Sequence, residues 1–299
     1  MAVSGLSGRV TFVTGPGKGS GKTAFLNYSL GLLRRSGESP AFLGVGFDGE
    51  AASSGRSSLI PCQPGELFVS AERYMRSSGC EPEIVAVLPG SGSLGRLAVA
   101  RARRPGLAVL VGPESNEVAA HAIAVMRGEF GARTVLVDGA MNRITQISAF
   151  AGASFIFVLS AGPGEVGSVV RSMRRIRLLA GLPVLGESAR DDPSLRSCEA
   201  GLPTPARFLP GPLTRLTLAR LGEGEGTIVV EDFTKVFLGW EELSALLRSR
   251  PLAVLHAAAF GGFVVRLRDV GQAAFAAAID DPALESMIAW NPYEAAADA

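Results

Sequence analysis

Short apolar, β-branched runs alternate with stretches whose apolar residues recur at helical spacing along much of this chain. Residues 9–14, Arg-Val-Thr-Phe-Val-Thr, read as a buried strand. A glycine-rich loop follows, and residues 23–33 then carry their apolar side chains on one helical face. Residues 40–47 read as a strand ending at Asp48-Gly49-Glu50, and the Ser/Gly/Pro-rich stretch 51–65 as a mobile loop. Further strands are expected at 66–69, 83–88, 107–111, 133–137 and 154–159. A helix is expected after Asn116, to about Phe130, and an Arg-rich helix after the Gly/Pro turn that follows residue 159. Nearer the C-terminus the pattern shortens: strands at 227–230 and 235–238, a helix near 240–248, and strands near 252–256 and 262–267. The apolar stretch 251–265 is too short to span a bilayer and reads as a buried strand pair.

Apolar strands interleaved with helices predict an α/β fold, a mostly parallel sheet covered by helices on both faces. The division expected from composition is a nucleotide-binding core over 1–185, a linker rich in Ser, Asp and Pro over 186–205, and a smaller α/β C-terminal region over 206–299. Ligands in such folds bind beyond the carboxyl ends of the strands. That rule picks out the glycine-rich loop, Asp48, Glu114 and Asp138, each just after a predicted strand.

Composition narrows the partners. The chain has 299 residues, 47% of them hydrophobic, which is ample for a sizeable core. A net charge of +1 gives no electrostatic case for nucleic acid or an anionic membrane. Two arginine clusters, Arg101/Arg103/Arg104 and Arg171/Arg174/Arg175/Arg177, stand out; the second has helical spacing and reads as a solvated face. Cys62, Cys80 and Cys198 are widely spaced and odd in number, without a C-x-x-C. They indicate free thiols in a reducing cytoplasm. The first ten residues lack a basic stretch followed by an apolar one, so no signal peptide is expected.

Lysine is the scarcest charge. Only Lys18, Lys22 and Lys235 occur, against 26 arginines, and two of the three lie in GPGKGSGKT, residues 15–23. An ammonium is a compact charge on a slim stem, whereas guanidinium is a broad fork. A phosphate cradle needs the slim group, which must reach past backbone amides. Strand, glycine loop and helix together form the arrangement in which backbone N–H groups and a helix N-terminus bind phosphate. The expected nucleotide-binding residues are Gly17, Lys18, Gly19, Ser20, Gly21, Lys22 and Thr23. Lys22 would meet the β- and γ-phosphates, and the Thr23 hydroxyl a Mg²⁺ ion. One departure is plain: strict G-x-x-x-x-G-K-T spacing places Pro16 where a glycine is usual, with Gly15 one residue earlier.

Mg²⁺ takes oxygen ligands, few of them from protein. Asp138, closing the run 133–137, has the position of a carboxylate that holds such a metal directly or through water; the alternative is a turn aspartate before Gly139. Asp48 and Glu114 are the other candidate ligands. Asp232 reads as a turn cap and Lys235 is retained as a candidate for its rarity alone. His121 and His256 have no Ser or Cys nucleophile motif beside them and read as structural.

The segments VTGPGKGSGKT, GVGFDGE, ELFVSAERY, LGRLAVARARRPGLAVLVGPES, VLVDGAMNR, VVEDFTKVFL and WNPY, in that order over about residues 9–293, resemble the P-loop subunit of the lysine 5,6-aminomutase reactivase family. That family is grouped with dethiobiotin-synthetase-like and ParA-like P-loop ATPases. The resemblance implies a P-loop NTPase fold, ATP and Mg²⁺ as cofactors, and Lys22, Asp138 and Lys18 as catalytic residues. It also implies a cytoplasmic ATPase that works with a second reactivase ATPase subunit on an adenosylcobalamin-dependent aminomutase client. In the wider group a lysine near the start of the loop reaches a partner's nucleotide across a dimer, so a homodimer is a further arrangement; Lys18 sits one position later than that pattern expects. Relatives often carry D-x-x-G after the metal-binding strand, and here the fourth residue is Met141.

Three functions compete at this stage. The first is the ATP-hydrolysing reactivating factor. The second is an ATP-dependent ligase of the dethiobiotin-synthetase type, which the shortage of lysine disfavours. The third is a nucleotide-binding assembly protein without useful hydrolysis, a reading that Pro16 keeps open.

Overall fold

The computed structural model describes residues 5–17, 19–45, 59–92, 95–139, 150, 152–222 and 226–293. It divides into two compact units: residues 1–160, 261–267 and 287–299, and residues 161–260 and 268–286.

In the first unit, β1 (Val10–Thr14) leads through the glycine-rich loop to α1 (Lys22–Arg35) and β2 (Ala41–Gly44). Then come β3 (Leu59–Cys62), β4 (Leu67–Ala71), the short α2 (Glu72–Met75), β5 (Pro82–Gly92), β6 (Gly95–Ala102) and β7 (Gly106–Val109). The helix α3 (Asn116–Gly128), β8 (Val135–Asp138) and β9 (Ser154–Ala161) follow.

The second unit holds α4 (Val166–Ala180), α5 (Pro193–Glu199), β10 (Ala206–Leu209), α6 (Arg215–Leu221), β11 (Thr227–Val230), α7 (Trp240–Ser249) and β12 (Leu252–Val254). The chain then enters β13 (Ala259–Leu267), makes α8 (Gln272–Ile279) and α9 (Pro282–Glu285), and ends in β14 (Ile288–Trp290). By this division most of β13, and all of β14, belong to the first unit.

The main sheet has nine strands in the order β14-β13-β9-β1-β8-β2-β4-β6-β5. β1 runs parallel to β8 and β9, and β2 parallel to β8 and β4, whereas β6 is antiparallel to β4 and β5. The protein is therefore α/β, with a large, mostly parallel sheet flanked by helices. Central strands of parallel sheets are covered on both faces, which is why β1 is buried at all five positions and mixes Val, Thr and Phe without alternation. On α1 the buried residues are Phe25, Leu26, Ser29, Leu30 and Leu33, one stripe at helical period. The four apolar ones pack with Val13, Phe42, Phe68, Leu136, Ile156 and Val158 in one core cluster. Gly37, at φ +83°, stops the helix, and the Glu38 N–H closes back on the Leu33 carbonyl at 3.0 Å.

Several expectations change. The break at 186–205 is not an irregular linker. It holds a 3₁₀ turn at Glu187–Arg190 and α5, with Ala189 and Ser197 fully buried. Residues 252–254 and 259–267 do not pair with each other: β12 joins β10 and β11 in a three-stranded parallel sheet, while β13 joins the nine-stranded one. Within 51–65, residues 51–58 lie outside the described residues, and Leu59–Cys62 is a strand antiparallel to β7. β7 is thus in a two-stranded sheet of its own rather than in the main one. The expected strand 235–238 is instead a 3₁₀ turn, Phe233–Lys235, followed by a single bridge from Val236 to Leu213. Its start is capped by buried Asp232, which accepts from the Thr234 N–H at 2.7 Å, as a turn aspartate would.

The second arginine cluster forms internal clamps. On α4, Arg174 donates to the Ile279 carbonyl (2.8 Å) and Arg175 to the Leu238 and Val236 carbonyls (both 2.6 Å). Arg177 pairs with Asp281 at 2.5 Å. These three side chains bind their own unit's backbone and carboxylate, so this is not the free solvated face that the spacing predicts. Arg103 and Arg104 pair at the surface with Glu83 and Glu81. No helix among the described residues is long and apolar enough to cross a membrane.

Candidate functional site

Register sets the site. Val13 of β1 is opposite Asp138 of β8 and Ile156 of β9, and Gly44 of β2 is also opposite Asp138. The carboxyl ends of three adjacent strands, β1, β8 and β2, therefore lie level, while β9 runs on beyond them to Ala161, and the glycine-rich loop leaves β1 at this edge.

The loop's glycines are held for two different reasons. Gly15 is a close approach: a Cβ there would lie 2.6 Å from the Val158 carbonyl oxygen and 2.7 Å from Ser20 Oγ. This accounts for the displaced spacing, since the steric need for glycine falls on Gly15 while Pro16 is exposed. Gly19 and Gly21 are required by backbone, with φ at +79° and +95°.

Gly21 is the N-cap of α1 and supplies no side chain to its N–H groups; no acidic residue occupies the first turn. The positive end of a fourteen-residue helix is left open toward the loop. Lys22, in that first turn, folds into the loop. Its Nζ donates to the Gly17 carbonyl at 2.5 Å and to Ser20 Oγ at 3.1 Å, and Ser20 Oγ donates to the same Gly17 carbonyl at 3.1 Å.

Thr23 Oγ1 donates to Asp138 Oδ2 at 3.0 Å, across 115 residues of sequence. The Asp138 backbone is fixed as well, its carbonyl accepting from the Val45 N–H at 2.7 Å. Burial pushes the Asp138 carboxyl above its ordinary value, opposed by the Thr23 hydrogen bond and by the charge of Lys22. A hydroxyl and a carboxylate at one point are hard oxygen donors, which suit Mg²⁺, a cation that takes one or two protein ligands and completes its shell with phosphate and water. Among the described residues no group of three His, Cys, Asp or Glu is placed to hold a metal.

Glu114 does not follow a strand of the main sheet, since β7 lies outside it. Gly112 touches the end of β2 so closely that a Cβ would be 1.6 Å from the Gly44 carbonyl oxygen. Glu114 is exposed two residues on, and Ser115 Oγ caps α3 by accepting from the Val118 N–H at 3.3 Å. Lys18 and Asp48 lie outside the described residues. Lys235 and His256 belong to the second unit: Lys235 pairs with Glu231 at 3.3 Å and His256 with Glu187 at 2.8 Å. His121 is exposed on α3. Cys62 and Cys80 are buried free thiols and Cys198 an exposed one.

One residue at the loop is unexpected from the sequence. The Tyr293 hydroxyl lies 3.5 Å from where a Cβ on Gly21 would be. The run WNPY carries it, but no periodicity or spacing connects residue 293 with residue 21.

The fold and these residues define an α/β protein with a glycine-rich loop, a lysine and a Thr–Asp pair at the carboxyl edge of a mostly parallel sheet. No protein-family model, curated protein or solved structure matches the chain.

Proposed function

We propose that this chain is a Mg²⁺-dependent ATP-binding and hydrolysing protein of the P-loop type. The observation that carries the reading is the 3.0 Å hydrogen bond from Thr23 to Asp138, formed where the open N-terminus of α1 meets the glycine-rich loop. A structural turn has no use for a half-buried carboxylate raised above its ordinary value beside a lysine; a phosphate and metal site uses both. In this reading Lys22 turns from the Gly17 carbonyl and Ser20 toward the β- and γ-phosphates. The N–H groups of the loop and first helical turn bind phosphate oxygens, and Thr23 and Asp138 hold Mg²⁺ directly or through water. The metal supplies charge neutralisation on the phosphate oxygens.

The finer role follows the sequence resemblance: a cytoplasmic ATPase subunit that, with a second ATPase subunit, reactivates an adenosylcobalamin-dependent aminomutase. Nucleotide binding is tested first, by calorimetric titration of ATP and ADP with and without Mg²⁺. The client role is tested by ATP turnover with and without the second subunit and by recovery of an inactivated aminomutase. Binding without either effect leaves the nucleotide site and removes the reactivase role; turnover driven by a small carboxylate or amine substrate would point to the ligase reading.

A further inference from the structure

Beside the glycine-rich loop lies a polar group that the nucleotide reading does not use. The last strand of the main sheet, β14, ends at Trp290, and three residues later the chain brings Tyr293 back to the loop. The residue is half-buried, but its hydroxyl oxygen is buried outright and has no hydrogen-bond partner among the described residues. Burial pushes this phenol up to about 12, with Arg266 working in the opposite direction. The ring stands edge-on to Tyr28 of α1, centroids 6.0 Å apart, and packs against the main core cluster.

A buried hydroxyl left unbonded is costly, and phenylalanine would give the same ring without that cost. The oxygen lies against Gly21, the residue that joins the loop to α1 and whose φ of +95° sets the loop's direction. Within the loop, the Gly17 carbonyl and Ser20 Oγ are occupied by Lys22. For Lys22 to meet a phosphate these bonds must break and the loop's peptides must turn their N–H groups toward the anion. The backbone beside Gly21 then has donors and acceptors to satisfy, and a rigidly held phenol is next to it.

We infer that the Tyr293 hydroxyl is a positioning group for the phosphate loop, hydrogen-bonded to loop backbone around Gly21 when a nucleotide's phosphates are bound. This rests on the phosphate-loop reading above and adds the residue that braces the loop from the far end of the chain. The ring serves the core in both states, whereas the oxygen serves the bound state.

The test is Tyr293→Phe in the full chain, with two readouts that should diverge. Without nucleotide, the variant should melt at the same temperature as the parent or higher, because it loses an unbonded buried oxygen and keeps the ring. In calorimetric titrations with Mg²⁺, its affinity for ATP and ADP should fall by about three- to tenfold, the worth of one hydrogen bond. Inorganic pyrophosphate, which has no base, should lose the same factor. Unchanged affinity would overturn the inference, as would a loss confined to ATP and ADP, which would place the hydroxyl on the base or sugar instead. A melting temperature several degrees lower without nucleotide would also overturn it, since the oxygen would then be bonded already. If the parent binds ATP, ADP and pyrophosphate not at all, the phosphate-loop reading fails and this inference with it.

Discussion

Thr23 Oγ1 and Asp138 Oδ2 meet at 3.0 Å because β1 and β8 are parallel neighbours in register, Val13 opposite Asp138. Thr23 is the second residue of α1, reached from β1 through the glycine-rich loop. The sheet therefore fixes the carboxylate and the loop fixes the hydroxyl, and one short contact reports on both.

Replacing Lys22 by Ala should leave the fold intact and weaken ATP binding by about tenfold to a hundredfold, the range for a charge-assisted hydrogen bond. Its ammonium donates to Gly17 and Ser20, both within its own loop. Circular dichroism checks the fold and titration calorimetry the affinity. An unaltered affinity would remove the basis for the nucleotide site.

Asp138→Asn should raise the melting temperature of the nucleotide-free protein at neutral pH while abolishing the Mg²⁺ dependence of nucleotide binding. The folded-state pKa lies above the ordinary 3.8, so between the two values the folded protein holds more protons than the unfolded chain. Stability from this group is thus fully present below 3.8 and is lost as pH rises through the folded value. The variant's advantage should shrink as pH falls toward 3.8, with thermal melts at several pH values as the measurement. A parent more stable than the variant at pH 7 would contradict the assignment.

Gly112→Ala should destabilise the first unit by about 3 kcal/mol, or prevent folding, because the new methyl group must displace backbone at Gly44. At Gly128, the last residue of α3, an added methyl group would meet nothing within 4 Å. Gly128→Ala should be neutral or stabilise by up to about 1 kcal/mol. Urea melts of the two variants should separate a close approach from a glycine that is merely present.

Glu66 is 2% exposed and accepts from two of the Arg34 nitrogens, Nε at 2.6 Å and Nη2 at 2.7 Å, and from the Gln63 N–H at 2.8 Å. Glu66→Ala should cost about 3 kcal/mol, because it leaves the Arg34 guanidinium with only the Pro61 carbonyl and no counter-charge, and the Gln63 amide without its acceptor. Denaturant unfolding measures it. A double variant with Arg34→Met should recover part of the loss, since no unpaired charge then remains.

β1 and α1 are legible in residues 9–33 because each carries its own pattern: a short run of Val, Thr and Phe, mostly β-branched, then a one-sided helical stripe. The loop between them is legible because its run of glycines and its two lysines stand close together in the sequence. β6 is not legible as a strand, although its run GRLAVARA pairs on both sides, with β4 and β5. Alanine is weakly disposed to strands, and only the neighbours on either side decide that conformation.

The sequence by itself determined the α/β alternation, the glycine-rich loop and the candidates Lys22, Thr23 and Asp138, since propensity, period and side-chain chemistry act over a few residues. Tertiary structure decided which strands are neighbours. It put β7 in a sheet with β3, returned β13 and β14 to the main sheet, set Gly112 against the end of β2, and placed Asp138 and Tyr293 beside the loop. The physical reason is that a strand's pattern states that it needs partners but not which ones. Pairing, close approach and the burial that raises Asp138 arise only when segments far apart in sequence compete for the same hydrogen bonds and the same space.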